Sequence, residues 1–211
     1  MHMIGVVLLS AGLLGSPSKL HVVRGSAVKA THHGREAVKV LPAPGQELGD
    51  GDVLALVPGT ESFEDGTLEV DVSGAPRAGA PASMKGFIGL AFRVQPEGEA
   101  AELFYIRPVN GRAPDQAQRN HSAQYVSSPG FGWKKLRDEN PWVYESYVDL
   151  EPGVWTHLRI TVAGDKAQLY VNGATQPTLV VNDLKRGKSK GAVALWTHAT
   201  TEAYFTNLTV H

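Results

Sequence analysis

Two arginines and a tyrosine are the side chains with the clearest capacity to hold a polar ligand. Arg93, Tyr105 and Arg107 lie in two neighbouring stretches, 86–94 and 101–108, whose alternating apolar residues predict an antiparallel hairpin. Successive side chains of a strand point to opposite faces, so the three polar residues are expected together on the face away from the core. Arginine offers a fixed fork of donors that suits paired hydroxyls or a carboxylate. The pattern predicts a ligand-binding patch on one sheet face.

The expected register of this hairpin predicts a trough. A turn centred near Gly98 would set Gly89 opposite Arg107 and Ala91 opposite Tyr105. Small residues facing large polar ones leave a depression with functional groups at its floor. The alternative is an ordinary polar face, in which Arg107 pairs with a carboxylate as part of the scaffold.

Aromatic side chains reinforce the case for a sugar ligand. Trp133 and Trp142 lie in a long segment, and Trp196 shares a strand face with His198. Flat indole rings provide the apolar surface on which sugar rings stack, while arginine and amide side chains satisfy hydroxyls. The alternative is that the two loop tryptophans pin their segment onto the domain. The full set of predicted substrate-binding residues is Arg93, Tyr105, Arg107, Asn110, Gln124, Tyr125, Trp133, Trp142, Trp196 and His198.

Catalytic candidates are fewer. His121 and Glu102 are the candidate general bases, with His121 able to meet His198 in the same region. Glu69 and Asp71 form a Glu-x-Asp pair of the kind that laminarinase-type glycoside hydrolases extend with a further glutamate, but Gly74 stands at that place. Retaining hydrolysis needs two positioned carboxyls. We therefore interpret the pair as the solvated face of a strand.

The elements that must position these residues are strands. Residues 153–173, GVWTHLRITVAGDKAQLYVNG, read as two alternating strands joined at Gly164-Asp165, with Ile160 and Leu169 on the buried face and Trp155 expected in the core. No helix-period segment of useful length occurs, and residues 109–122 and 128–143 read as loops. Loops of such length are often functional. The predicted fold class is all-β.

These motifs carry a resemblance. The 153–173 hairpin resembles that of laminin-G-like and other concanavalin A-like jelly rolls. The runs FYIRPVNG, NHSAQYVSSPGFGW and YESYVDLEPGVWTHLRI resemble bacterial secreted proteins of the 3-keto-disaccharide hydrolase and laminin-G-like type. The resemblance implies a two-sheet antiparallel β-sandwich, a jelly roll of the concanavalin A-like kind.

The residues and the resemblance together bear on function. The arginine, tyrosine and tryptophan surface, without a clear carboxylate pair, favours a carbohydrate or glycoside as the partner, bound without catalysis on one sheet face. Two alternatives remain open: a carbohydrate-active enzyme, either a glycoside hydrolase or a keto-glycoside lyase, and a laminin-G-like protein-binding module. Calcium sites are common among laminin-G-like folds, but no run of aspartates marks one here, so no metal or cofactor is assigned.

Composition limits the remaining classes. The 20 basic and 21 acidic residues give a net charge of −1, which offers no support for nucleic-acid binding. There is no cysteine, so disulfides and thiolate chemistry are excluded. The apolar run within residues 1–18 is too short to span a bilayer and fits a signal peptide, against the alternative of a buried first strand. Residues 19–211 are expected to form one secreted or periplasmic domain.

The leader prediction is testable by intact-mass measurement of the protein from its native host. We expect a mature chain that begins near residues 16–19, because small residues at Ser16 and Ser18 suit cleavage before Lys19. A cytosolic product whose mass includes residues 1–18 would contradict export.

Overall fold

Alternating apolar segments build two antiparallel sheets. The structure is a computed structural model and describes residues 17–211. The strands are β1 (His21–Val23), β2 (Gly25–His32), β3 (Arg35–Pro42), β4 (Asp52–Leu56), β5 (Gly66–Pro76), β6 (Ile88–Val94), β7 (Ala101–Ile106), β8 (Ala123–Ser128), β9 (Glu145–Ser146), β10 (Thr156–Ala163), β11 (Lys166–Val171), β12 (Leu179–Val181), β13 (Ala192–His198) and β14 (Thr201–Val210).

The two sheets each contain seven strands. The front sheet has the order β1-β4-β13-β6-β7-β8-β9, and the back sheet has the order β12-β11-β10-β5-β14-β3-β2. All the strand pairs are antiparallel. The prediction of a two-sheet antiparallel jelly-roll sandwich is confirmed.

The core lies between the sheets and consists of the inward side chains of both. Ile160 and Leu169 face each other across the β10–β11 hairpin and have no solvent exposure. Gly164 in the connecting turn has a φ of +62°, a conformation that glycine adopts at little cost. The hairpin predicted from residues 153–173 is therefore confirmed. Other fully buried core residues are Leu68, Val70, Val72, Leu90, Phe92, Phe104 and Phe205.

Two short helices interrupt segments that were expected to be loops. Helix α1 (Gln116–Asn120) starts after Asp115, whose side chain accepts a hydrogen bond from the Gln118 backbone N–H at 2.7 Å. Helix α2 (Trp133–Glu139) contributes Leu136 to the core. Five to seven residues span two turns at most, so a 3.6-residue period has no length over which to show in the sequence. Single 3₁₀ turns occur at Pro17–Lys19, Pro96–Gly98 and Pro108–Asn110.

Trp155 does not join the core, contrary to the sequence-based expectation. Its ring is half-buried, its Nε1 donates a hydrogen bond to the His32 carbonyl at 3.3 Å, and the Arg35 guanidinium lies 5.3 Å from the ring centre. Trp155 precedes β10, so the alternation that buries the strand's aliphatic residues does not fix its direction. His32 is also half-buried and stacks on Tyr204 with ring centres 3.9 Å apart.

The predicted leader lies almost wholly outside the described residues. Its last residues, Pro17 and Ser18, belong to the first 3₁₀ turn. Within residues 17–211, no helix is long and apolar enough to cross a membrane.

Candidate functional site

A cleft of about 750 Å³ lies on the outer face of the front sheet. Its floor is made by side chains of β7 and β13, and one wall comes from the 128–143 segment that includes α2. A second wall comes from the 83–87 segment that leads into β6. The cleft therefore forms where the predicted hairpin meets the long connections.

The floor is aromatic and depends on one glycine. Trp196 on β13 and Tyr105 on β7 both pair with Gly89 on the intervening β6, and their ring centres lie 4.9 Å apart. A Cβ atom on Gly89 would lie 2.1 Å from the Phe104 carbonyl oxygen and 2.6 Å from the Tyr105 Cα. Phe87 meets the Tyr105 ring edge-on at 6.1 Å. A side chain at position 89 would displace the strand that carries Tyr105.

The predicted register of this hairpin is wrong by two residues. Gly89 lies opposite Tyr105, and Ala91 lies opposite Leu103. The connection includes a 3₁₀ turn at Pro96–Gly98 and a positive φ at Glu97, which sequence alternation does not specify. A two-residue shift preserves which face each side chain occupies, so Tyr105 and Arg107 still face the cleft as expected.

Arg107 lines the cleft, but its terminal nitrogens are occupied by the protein. Nη1 donates to the His121 carbonyl at 2.8 Å and to Oε1 of Glu145 at 3.2 Å. Nη2 donates to the Tyr105 hydroxyl at 2.8 Å and to Oε1 of Gln124 at 2.9 Å. The side chain is only 6% exposed. Arg107 therefore fixes β7, β8 and β9 relative to one another, and its four Nη hydrogens are committed.

Tyr105 keeps one donor for a ligand. Its hydroxyl accepts from Arg107 and donates to no side chain among residues 17–211. Burial raises the pKa of Tyr105 against the opposing charge of Arg107, so the phenol stays protonated at neutral pH.

Glu145 lies buried behind the charged end of the cleft, and the sequence interpretation did not single it out. Its side chain is 2% exposed and accepts from Arg107, from Nε of Arg137 at 2.8 Å, and from Nη2 of Arg137. Burial alone would raise the pKa of Glu145. The hydrogen bond from Arg137 and the charges of Arg107 and Arg137 outweigh burial and lower it. The one available signal was the alternative interpretation of Arg107, which required a carboxylate partner.

His121 lines the cleft beside this carboxylate. Its Nδ1 lies 3.0 Å from Oε2 of Glu145, and its ring lies parallel to the Trp142 ring at 5.6 Å. Burial lowers the pKa of His121, and the charges of Arg137 and Arg107 act in the same direction while Glu145 opposes them. The imidazole is therefore neutral at neutral pH.

Asp52 occupies the other end of the cleft, next to His198 across the β4–β13 pair. Burial raises the pKa of Asp52, although Trp196 and His198 act to lower it. His198 contacts Thr200 through Nδ1 at 2.8 Å and Asp50 through Nε2 at 3.3 Å. The cleft thus has a basic end around the arginines and an acidic end around Asp50 and Asp52.

The remaining predicted residues lie at the rim of the cleft or support its walls. Trp133 lines the cleft and is 47% exposed, and Trp142, stacked on His121, is 61% exposed. Asn110 is buried and donates to the His121 carbonyl at 3.0 Å. Gln124 is fully buried, and its Nε2 donates to two backbone carbonyls. Gln124 supports the site from behind, whereas Asn110 lines the cleft and also holds the His121 main chain.

Arg93 does not share the face of Tyr105 and Arg107, so the predicted three-residue patch is wrong with respect to Arg93. Its φ is +52°, and the β6–β13 register shifts next to it, which breaks the alternation on which the prediction depended. The guanidinium is fully buried and donates to the carbonyls of Glu64, Gly187 and Gly164 and to Asp65.

Glu102 and Tyr125 also lie outside the cleft. The Tyr125 hydroxyl donates to Oε2 of Glu102 at 2.6 Å, and both side chains are fully buried. The Arg186 and Lys185 backbone N–H groups donate to Glu102 and Tyr125, respectively, at 2.8 Å. Glu102 and Phe104 are two residues apart on β7, so their side chains point to the same face. Phe104 is a core residue, so Glu102 also points inward and is not placed to act as a base in the cleft.

Glu69 and Asp71 lie on the outer face of the back sheet, away from the cleft. Asp71 is less solvated than expected, because it contacts His157 at 2.8 Å, Asn207 at 2.8 Å and Arg35 at 3.1 Å. The pair acts as scaffold. Residues 17–211 contain no group of three or more His, Asp or Glu side chains arranged to hold a metal ion.

Comparisons with known proteins agree with the fold. Residues 46–211 match the family described as the 3-keto-alpha-glucoside-1,2-lyase-like domain. The carbohydrate-binding module CBM66 from Bacillus subtilis is 16% identical to this chain and superposes with a TM-score of 0.58. The match covers 92% of this chain and 95% of the module. A Bacillus subtilis protein of unknown function with a galectin-like fold is 14% identical, with coverages of 97% and 94% and a TM-score of 0.61. No curated protein matches the sequence.

Replacing Arg107 by alanine tests its role as scaffold. We expect the free energy of unfolding to fall by about 3–5 kcal/mol, the range for removing one partner of a buried ion pair. The substitution would remove the hydrogen-bond donor that Tyr105, Gln124 and Glu145 share. Urea unfolding measures the change.

Arg112→Ala is the matched control, because the ion pairs of Arg112 with Asp149 and Glu151 are exposed. Exposed pairs contribute little to stability. Equal effects of the two substitutions would contradict the scaffold role of Arg107.

Proposed function

This chain belongs to the 3-keto-alpha-glucoside-1,2-lyase-like domain family, and we propose that it binds a glycoside in the cleft of the front sheet. The observation that carries the proposal is the aromatic floor of Trp196, Tyr105 and Phe87 inside a cleft whose walls carry polar groups. Sugar rings combine apolar C–H faces with a belt of hydroxyls. An aromatic floor with polar walls complements both.

Several donors and acceptors around this floor are free to meet hydroxyls. Within residues 17–211, the Tyr105 hydroxyl hydrogen and Nη1 of Arg137 make no hydrogen bond to protein. Asp52 adds a carboxyl at the opposite end. A cleft of about 750 Å³ falls in the range of small-ligand sites.

The likeness to CBM66, a carbohydrate-binding module by name, supports the same proposal. Two sandwiches that share an architecture need not share a ligand. The aromatic floor, not the likeness, therefore determines where on this chain the sugar is placed. We further propose that the protein is exported, because residues 1–18 have the character of a signal peptide.

A keto-glycoside lyase activity is the second candidate function. The observation that favours it is a pair of titratable groups in the cleft with altered ionisation: the pKa of Asp52 is raised by burial, and that of His121 is lowered by burial. A carboxyl whose pKa is raised keeps its proton to a higher pH, and an imidazole whose pKa is lowered stays neutral near pH 7 and can accept a proton. The family description names the same reaction class.

Removing the Trp196 indole tests the binding proposal. We expect Trp196→Ala to weaken the binding of methyl 3-keto-α-glucopyranoside about tenfold to a hundredfold, because a buried aromatic contact contributes about 1–3 kcal/mol. Isothermal titration calorimetry measures the dissociation constant, and thermal unfolding of the same sample reports whether the variant is folded.

Trp155→Ala provides the matched control. It makes the same change on the back sheet, where Trp155 is half-buried at the surface. We expect this variant to bind like the wild type. Binding that is unaffected by Trp196→Ala, or lost equally in both variants, would contradict the proposed site.

A further inference from the structure

The buried Glu145 carboxylate is held too firmly to serve as a reacting group itself. Two arginines contact it from different elements, Arg107 from the end of β7 and Arg137 from α2. Its own position on β9 is fixed by pairing with Gln124 of β8. The carboxylate is only 2% exposed and does not line the cleft. A fixed, ionised carboxylate behind a cleft residue is suited to orienting that residue.

His121 is the residue that Glu145 faces. Its backbone carbonyl accepts hydrogen bonds from Arg107 and Asn110, which fixes the main chain at this point. The ring is held between the Glu145 carboxylate, 3.0 Å from Nδ1, and the parallel indole of Trp142. Nδ1 is buried and has no hydrogen-bond partner among residues 17–211, so the Glu145 carboxylate is its close polar contact rather than a formed hydrogen bond.

The second ring nitrogen is left for the cleft. Nε2 of His121 makes no hydrogen bond among residues 17–211 and is not among the buried unpaired atoms, so it reaches accessible space. A carboxylate on Nδ1 favours the tautomer that carries its proton there, which leaves the Nε2 lone pair free to accept a proton. The charged groups around the ring are Arg107, Arg137 and Glu145.

We infer that His121 is a catalytic base in this cleft and that Glu145 is the residue that positions it. The inference rests on the proposed function, since it requires a glycoside to occupy the cleft. It names a general base whose orienting partner is remote in sequence, on the two-residue strand β9. Glu145 and the two arginines together carry a net charge of +1, and the imidazole is uncharged before it reacts.

The step that this arrangement supports is an elimination from a glycoside with a carbonyl at C3. The carbonyl acidifies the C2 proton, which passes to Nε2 of His121. The C2–H electron pair forms the C1–C2 double bond, and the C1–O bond breaks with its pair leaving on the glycosidic oxygen. That oxygen gains a proton from water, and the hydroxide left behind takes the proton back from His121. No oxidant or reductant is consumed.

The test compares turnover with binding in matched variants. With methyl 3-keto-α-glucopyranoside as the probe, we expect His121→Asn to lower kcat by about a hundredfold or more, the range for removal of a general base. The dissociation constant should stay within about threefold of the wild-type value. His157→Asn is the control, because His157 also contacts a carboxylate, Asp71 at 2.8 Å, but on the back sheet; its kcat should equal that of the wild type.

The role of Glu145 is tested with a measurement that would not change if Glu145 were only structural. Removing its charge by Glu145→Gln leaves two arginines beside the ring, so the pKa of His121 should fall and the acidic limb of the pH–kcat profile should shift to lower pH. The imidazole Cε1–H resonance of His121, followed by NMR during a pH titration, should show the same fall in pKa without substrate. Should Glu145→Gln fail to fold, ¹⁵N chemical shifts of His121 in the wild type report which nitrogen carries the proton.

The possible outcomes test the catalytic inference and the binding proposal separately. A His121→Asn variant that keeps kcat within threefold, or a wild-type His121 with its proton on Nε2, would overturn this inference. Wild-type protein that binds the probe without turning it over would also overturn it and leave the binding proposal intact. Failure of the wild type to bind any glycoside would contradict the proposed function itself.

Discussion

The buried carboxylate of Glu145 is the point on which the cleft depends. Its contacts join β7, β9, α2 and the segment before β8, which are separate in sequence. Removing a carboxylate from water is unfavourable unless several donors replace the lost hydration. Here two arginines do so, and one of them, Arg107, also donates hydrogen bonds to Tyr105, Gln124 and the His121 backbone carbonyl. The polar network thus determines the shape of the cleft wall, while the apolar core determines only the sandwich behind it.

The floor depends on a different constraint, the close approach of strands at Gly89. Without a Cβ, this position leaves room for the Trp196 and Tyr105 rings to come together across β6. The result is an apolar surface flanked by an arginine-rich end and an aspartate-containing end. A ligand with an apolar ring face and hydroxyls at both ends matches that distribution, which is why the account assigns a glycoside to this face and not to the back sheet.

The sandwich could be predicted from sequence because strand alternation is a local property. The β10–β11 hairpin, the inward aliphatic residues of β6 and β7, and the outward direction of Tyr105 and Arg107 all follow from it. Arg93 was misplaced because its backbone has a positive φ beside a register shift, and a single such residue reverses the alternation. Glu145 was missed because β9 has two residues, too few to show a period. Its importance comes from partners 8 to 38 positions away in the chain.

The central claim is that a sugar ring lies on the Trp196–Tyr105 floor, with its reactive side toward His121. A crystal structure of the protein soaked with methyl 3-keto-α-glucopyranoside, or with a non-reactive analogue if the ligand is turned over, tests it most directly. The account predicts density for the ring over Trp196 and a sugar atom within hydrogen-bond distance of Nε2 of His121. A sugar bound instead on the outer face of the back sheet, around Trp155 and Tyr204, would contradict it.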